Sequence, residues 1–182
     1  VGLVAFNTGY TVLAEPTTRL SAVEEALDRI ERPAPEEAYT ELYAGLVQAV
    51  DEVEGTGGRK VVIVLSDGEN FPYARHSGSV HPVYGERIFE YQEAIERAQR
   101  EGLSVFAVNF GADRDPNLQE IASETGGEVY EAFTGEQLRK VYLAIRDRVL
   151  SEVRITYTPT MVPAERKWVR VTYRSGGRTY SD

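Results

Sequence analysis

The chain has 182 residues, 42% apolar and 27% charged, which fits one soluble globular domain with enough material for a real core. Its 20 Lys and Arg against 29 Asp and Glu give a formal charge of −9, which argues against nucleic acid as a partner. The absence of cysteine excludes disulfides, thiolate zinc sites, iron–sulfur clusters and cysteine nucleophiles, and no apolar run approaches the ~20 residues of a membrane span.

Val1–Phe6 reads as a buried strand, and the turn Asn7-Thr8-Gly9 predicts a hairpin to Tyr10–Ala14. Because residue 1 is a Val already inside a strand-like run, the chain is expected to be a piece of a longer protein. Leu20, Val23, Leu27 and Ile30 recur at helical spacing, with Thr17 or Thr18 as cap and Pro33 and Pro35 as terminators. A second helix is predicted from about Thr40 to Val53, apolar along Leu42, Leu46, Ala49, Val50 and Val53.

Lys60–Ser66 is almost continuously apolar, as a strand covered on both faces of a parallel sheet would be. A long polar loop, Asn70–Gly85, holds both histidines and leads to a helix over Glu86–Glu101. Glu93–Arg97 and Glu96–Arg100 are spaced as helical ion pairs there, and Gly102 ends it. Leu103–Phe110 is a second buried strand, followed by a helix near Pro116–Thr125, a strand at Glu128–Glu131 and a helix over Gly135–Leu150. Val153–Tyr157 and Trp168–Tyr173 alternate with period two and are expected to pair antiparallel. Strands alternating with helices predict an α/β fold with a doubly wound, mostly parallel sheet over residues 1–150 and a β-strand extension over 151–182.

Ligands on such sheets sit beyond the carboxyl ends of the strands. Ser66-Asp67-Gly68-Glu69-Asn70 ends the most apolar strand there. Asp67 is either part of an Asp-Gly turn or a carboxylate aimed into the crevice, where it would suit a hard cation. Thr40 is expected to cap its helix, and its hydroxyl could also ligate a metal beside the same crevice. Asp113 and Asp115, ahead of Pro116, read as helix caps. His76 and His81 lie five apart, without cysteine, a poor zinc pattern. Their loop also carries Phe71, Tyr73, Arg75 and Tyr84, residue types enriched where partners bind, so Tyr73, His76 and Tyr84 are candidates for a partner-binding rim. Gly55–Gly58 follows a helix and precedes a strand, the wrong order for a phosphate loop.

The strand and hairpin, the Thr-x-Leu-Tyr-x-Gly-Leu helix start, VVIVLSDGEN, LSVFAVNFGA and the Glu-Thr-Gly-Gly turn together resemble a von Willebrand factor type A domain over nearly all of residues 1–150. The appended strands resemble those of bacterial secreted or envelope members. The resemblance implies a metal-ion-dependent adhesion site for Mg²⁺, or Mn²⁺ or Ca²⁺, with Thr40 and Asp67 as metal ligands. An open coordination position would take an Asp or Glu of a protein partner. It further implies an extracytoplasmic location in a bacterium, and recognition rather than catalysis. Two alternatives stay open: a metal-independent assembly domain working through strand edges, and a regulatory subunit of an ATPase or chelatase complex. The family's Asp-x-Ser-x-Ser loop occurs nowhere in this chain. In the family it follows a first strand, itself followed by a helix, that would precede Val1 and lie between the strands read at Val1–Phe6 and Lys60–Ser66. Two unpaired edges are therefore expected to face each other, open to pairing with an upstream segment or another chain.

Overall fold

The computed structural model describes residues 1–35, 38–151, 172–175 and 178–181, in two units, Val1–Leu150 and Ser151–Asp182. In the first unit, β1 (Leu3–Phe6) and β2 (Tyr10–Ala14) form the expected antiparallel hairpin. Helix α1 (Leu20–Leu27) follows, then α2 (Leu42–Asp51), β3 (Val61–Ser66), the single turn α3 (Tyr73–His76), α4 (Tyr91–Glu101), β4 (Ser104–Phe110), α5 (Leu118–Glu124), β5 (Val129–Ala132) and α6 (Gly135–Ser151). Strands β3, β4 and β5 form a parallel sheet in that order.

The sheet is covered on both faces because β4 alternates. Val105 and Ala107 point into a core built from α2, α4 and α5, with Leu46, Val50, Ile95, Ala98 and Ile121. Phe106 and Val108 point the other way, into a core with Ala132 and Ile145, the latter from α6. This is the doubly wound arrangement that the order of apolar runs predicted. Close packing at the amino end of the sheet needs Gly127, where a Cβ would fall 1.9 Å from the Val105 carbonyl oxygen. At that end Lys60 Nζ also donates to Glu101 at 2.5 Å.

Several boundaries differ from the sequence reading. α2 begins at Leu42 behind Glu41, so Thr40 is not its N-cap. Thr40 is drawn into an isolated antiparallel bridge with Phe71. α1 is preceded by Arg19, whose amide donates to the Thr17 hydroxyl. α4 starts at Tyr91 rather than near Glu86, because Glu90 and Glu93 form a capping box there, and Gly102 ends it with φ 60°. The expected Glu93–Arg97 pair does not form: Glu93 meets Arg87 and Arg97 meets Asp51. In the second unit, the antiparallel pair is β6 (Thr172–Ser175) with β7 (Arg178–Ser181). Of the pairing expected between Val153–Tyr157 and Trp168–Tyr173, only Thr172 and Tyr173 are described, and they pair with Ser181 and Tyr180; the first segment lies outside the described residues.

Among the described residues β1 pairs only with β2, and β3 only with β4. Both strands line one cleft of about 1050 Å³, with Gly45, Leu46 and Ala49 of α2 and Tyr142 of α6 also lining it. Ile63 and Leu65 are each 40% exposed, so β3 lacks the full cover that its apolar run predicted.

Candidate functional site

The cleft runs along β3 from Val62 to its carboxyl end, where both Thr40 and Asp67 line it, together with Asn7 from the β1–β2 turn. Asp67 is exposed and Thr40 half-buried. The two are held on one scaffold by backbone pairing: the Thr40 amide donates to the Phe71 carbonyl at 3.1 Å, and the Phe71 amide to the Thr40 carbonyl at 2.8 Å. The Glu41 amide donates to the Asn7 carbonyl at 3.0 Å, which ties the hairpin turn to the same place.

The start of α2 is capped from a distance. The Asn70 Oδ1 accepts from the Leu42 amide at 3.0 Å and from the Tyr43 amide at 3.5 Å. The Asn70 amide donates to Asp115 Oδ2 at 2.9 Å. Asp115 also accepts from the Tyr43 hydroxyl through both oxygens at 2.9 Å, and from the Asn117 amide at 2.9 Å. Asp115 therefore bonds the amide of Asn117, the residue that precedes α5, and is not itself the cap that its place before Pro116 predicted; it joins the β3–α3 and β4–α5 connections to α2. Burial pushes the Tyr43 hydroxyl well above the usual phenol range; the Asn117 side chain opposes that shift and the Asp115 carboxylate reinforces it.

The long loop is built around His81, 2% exposed. Its Nδ1 accepts from the Val83 and Tyr84 amides, both at 3.0 Å. Its Nε2 must then carry the proton and donates to the Thr8 carbonyl at 2.7 Å. Both ring nitrogens are engaged within the protein, so His81 is a structural histidine. The Glu41 carboxylate accepts from the Tyr73 amide at 2.7 Å.

The three rim candidates divide. His76 is exposed and stacks on Phe71 with centroids 3.6 Å apart; Tyr39 stacks on Phe71 at 5.9 Å, and Phe71 is itself 45% exposed. Tyr73 is half-buried, edge-on to Tyr39 and His81. Tyr84 turns inward, stacks on His81 at 4.3 Å and accepts from Gln48 Nε2 at 2.6 Å. Sequence reasoning missed Tyr39, Asn70 and Tyr43 as parts of this end of the molecule. Asn70 was visible beside Asp67, but nothing local in the sequence tells that an Asn will cap a helix 28 residues earlier.

As donors for a hard cation, the Thr40 hydroxyl and the Asp67 carboxylate fit in kind. In number they are two where Mg²⁺ takes about six oxygens, water included. Among the described residues no group of three or more His, Asp or Glu could hold a metal ion. The open side of these two donors is the cleft itself.

A family profile described as von Willebrand factor type A domain matches residues 1–143. A UPF0353 protein of Mycolicibacterium paratuberculosis is 26% identical over 171 residues, covering 82% of this chain and 48% of that protein. One of Mycobacterium ulcerans is 25% identical with the same coverage. The chain thus spans about half the length of the curated relatives it matches. Among solved structures, proximal thread matrix protein 1 from the mussel byssus is 18% identical, with a TM-score of 0.58 over 81% of this chain and 34% of that one. An aerotolerance-related membrane protein from Bacteroides fragilis is 17% identical, with a TM-score of 0.57 over 84% of this chain and 79% of that one. These two likenesses concern the fold. Among the described residues no helix is long and apolar enough to cross a membrane.

Proposed function

This chain belongs to the von Willebrand factor type A domain family, a protein-interaction module in general, and we propose that it recognises an acidic partner through a bridging divalent cation. Thr40 and Asp67 are the ligands it contributes, and Mg²⁺, with Mn²⁺ or Ca²⁺ as substitutes, would supply the positive charge that meets the partner's carboxylate. The observation that carries this reading is the meeting of Thr40 and Asp67 on one cleft at the carboxyl end of β3. Charge supports it. The chain carries −9, and Asp67, Glu69 and Asp113 are all exposed near these strand ends, so an acidic partner needs a cation between. Exposed Phe71 and His76, stacked with half-buried Tyr39 beside Thr40, would contact the partner's flanking residues. Recognition rather than catalysis is part of the proposal; Lys60, a basic group on the same strand run as Asp67, is engaged with Glu101 at the far end. So is an extracytoplasmic setting in a bacterium, in keeping with bacterial relatives.

The test is calorimetric titration of Mg²⁺ and Mn²⁺ into the full-length protein and its Asp67→Ala variant. Heats that disappear in the variant are expected; equal heats would remove Asp67 from the site.

A second reading draws on the cleft. Among the described residues β1 and β3 each pair on one side only and both line the cleft, and with half-exposed Ile63 and Leu65 on β3 this favours insertion of an extended segment, from upstream in the same protein or from another chain. That segment would also bring oxygen donors beside Thr40 and Asp67. These 182 residues lack cysteine, so Leu65→Cys places a single spin label within them, any cysteine elsewhere in the full-length protein being replaced by Ser first. An immobile label in the full-length protein at all concentrations is expected for an upstream segment. A label that becomes immobile only on association indicates a second chain, and a label mobile throughout rules out strand insertion.

A further inference from the structure

Two connections and the start of α2 meet near the Thr40–Asp67 end of the molecule, and one set of side chains around the buried Asp115 joins them. Asp115, 5% exposed, comes from the β4–α5 connection. It takes hydrogen bonds from the Tyr43 hydroxyl on α2, from the Asn70 amide after β3, and from the Asn117 amide before α5. Asn117 Nδ2 donates to the same Tyr43 hydroxyl at 2.6 Å. Asn70 then passes the connection on: its amide is held by Asp115 while its Oδ1 holds the first amides of α2. Asn70 lies three residues after Asp67, and Leu42 two after Thr40, so this clasp spans the two proposed ligand-bearing segments without touching the cleft itself.

The donor count explains why Asp115 is not itself a ligand. Its two oxygens already accept from three different groups, so charge-assisted hydrogen bonds rather than a cation satisfy this carboxylate. Asn70, a neutral acceptor, does for the start of α2 what a local N-cap would do, but it does so across loops. A local cap at Thr40 or Glu41 would stabilise the helix and leave the Asp67 loop free. A cap supplied by Asn70 makes helix formation and loop placement one event.

We infer that Asn70 and Asp115 are positioning residues, which fix the loop bearing Asp67 against the segment bearing Thr40 before any cation or partner arrives. The functional half of this inference rests on the cation reading above; the clasp itself does not. The experiment is therefore amide hydrogen exchange together with Mn²⁺ titration, on the full-length protein and its Asn70→Ala, Asp115→Asn and Lys60→Met variants. The Ala107 amide, bonded to the Glu128 carbonyl inside the sheet, is the internal reference for global opening.

In Asn70→Ala, protection at Leu42 and Tyr43 is expected to fall roughly tenfold relative to Ala107, the size of a lost helix cap. Mn²⁺ affinity is expected to fall by a similar factor. Asp115→Asn is expected to do the same more weakly, and it carries the test if Asn70→Ala does not fold. Lys60→Met removes an ion pair at the other end of the sheet and is expected to leave both the protection ratio and the Mn²⁺ affinity as they were. Unchanged protection ratios in both clasp variants would overturn the inference. Lost protection with unchanged Mn²⁺ affinity would overturn the positioning role and leave only a structural one. A full-length protein that takes up no Mn²⁺ at all would sink the cation reading, and the exchange ratios would still decide the clasp.

Discussion

Strands β3 and β4 are neighbours in register from Val61 opposite Ser104 to Ser66 opposite Asn109, and both are unbroken apolar runs in the sequence. Their surroundings differ. Val105, Phe106, Ala107 and Val108 are at most 1% exposed, whereas Ile63 and Leu65 of β3 are each 40% exposed on the wall of the cleft. The difference follows from position in the sheet. β4 has a strand on each side and helices over both faces; among the described residues β3 has a strand on one side only. An apolar run thus records the burial a strand needs, and at β3 that need is not met by the described residues alone.

The comparison can be broken from its strong side first. Phe106→Ala is expected to cost about 3–5 kcal/mol in urea unfolding, because it empties a fully buried ring site behind α6. Gly127→Ala comes next, at roughly 1–3 kcal/mol or more, since the new Cβ would overlap the Val105 backbone and push β4 from its place. On the weak side, Ile63→Thr with Leu65→Thr is expected to change stability by only about 0.5 kcal/mol each way in the chain as given, as for exposed positions. The same pair should cost several times more in any form of the protein whose cleft is filled. Equal costs in both forms would show that β3 is a true edge.

The smallest effect concerns the far end of the sheet. The Lys60 ammonium, by hydrogen bond and by charge, holds the Glu101 carboxyl below its ordinary value of 4.5, against some desolvation. A lowered folded value means stability that is present above about pH 4.5 and is lost as pH falls through the folded value. Lys60→Met should lower stability slightly across the neutral range and flatten the loss of stability just below pH 4.5, the two proteins converging at lower pH. An identical acid profile in the variant would show that the pair is screened out. Tyr43 gives the opposite sign. Its raised value stabilises the fold below the ordinary phenol value of 10.0 and is lost as pH rises beyond it, so phenolate absorbance should lag at Tyr43 relative to the exposed tyrosines.

Most elements were legible because they rest on local pattern: the hairpin at Asn7-Thr8-Gly9, the apolar strands, and Gly102 ending α4. Boundaries moved where a non-local group took over. Thr40 looked like a cap and is not one, because the Phe71 backbone claims it and Asn70 caps α2 instead. Tyr84 looked like a rim residue and faces inward, because His81 and Gln48 offer its ring and hydroxyl better partners there.

The sequence alone determined the α/β order, the apolar strands, the acidic charge and the presence of Thr40 and Asp67 at helix and strand ends, since each depends on spacing along one short stretch of chain. Only the tertiary structure decided that Thr40 and Asp67 share a cleft, that Asp115 and Asn70 join their loops, and that β3 keeps an apolar flank uncovered. Those are contacts between residues tens of positions apart. Which donor meets which acceptor across loops is settled when the sheet and its helices pack, because packing is what brings those groups within hydrogen-bonding distance and takes them out of water.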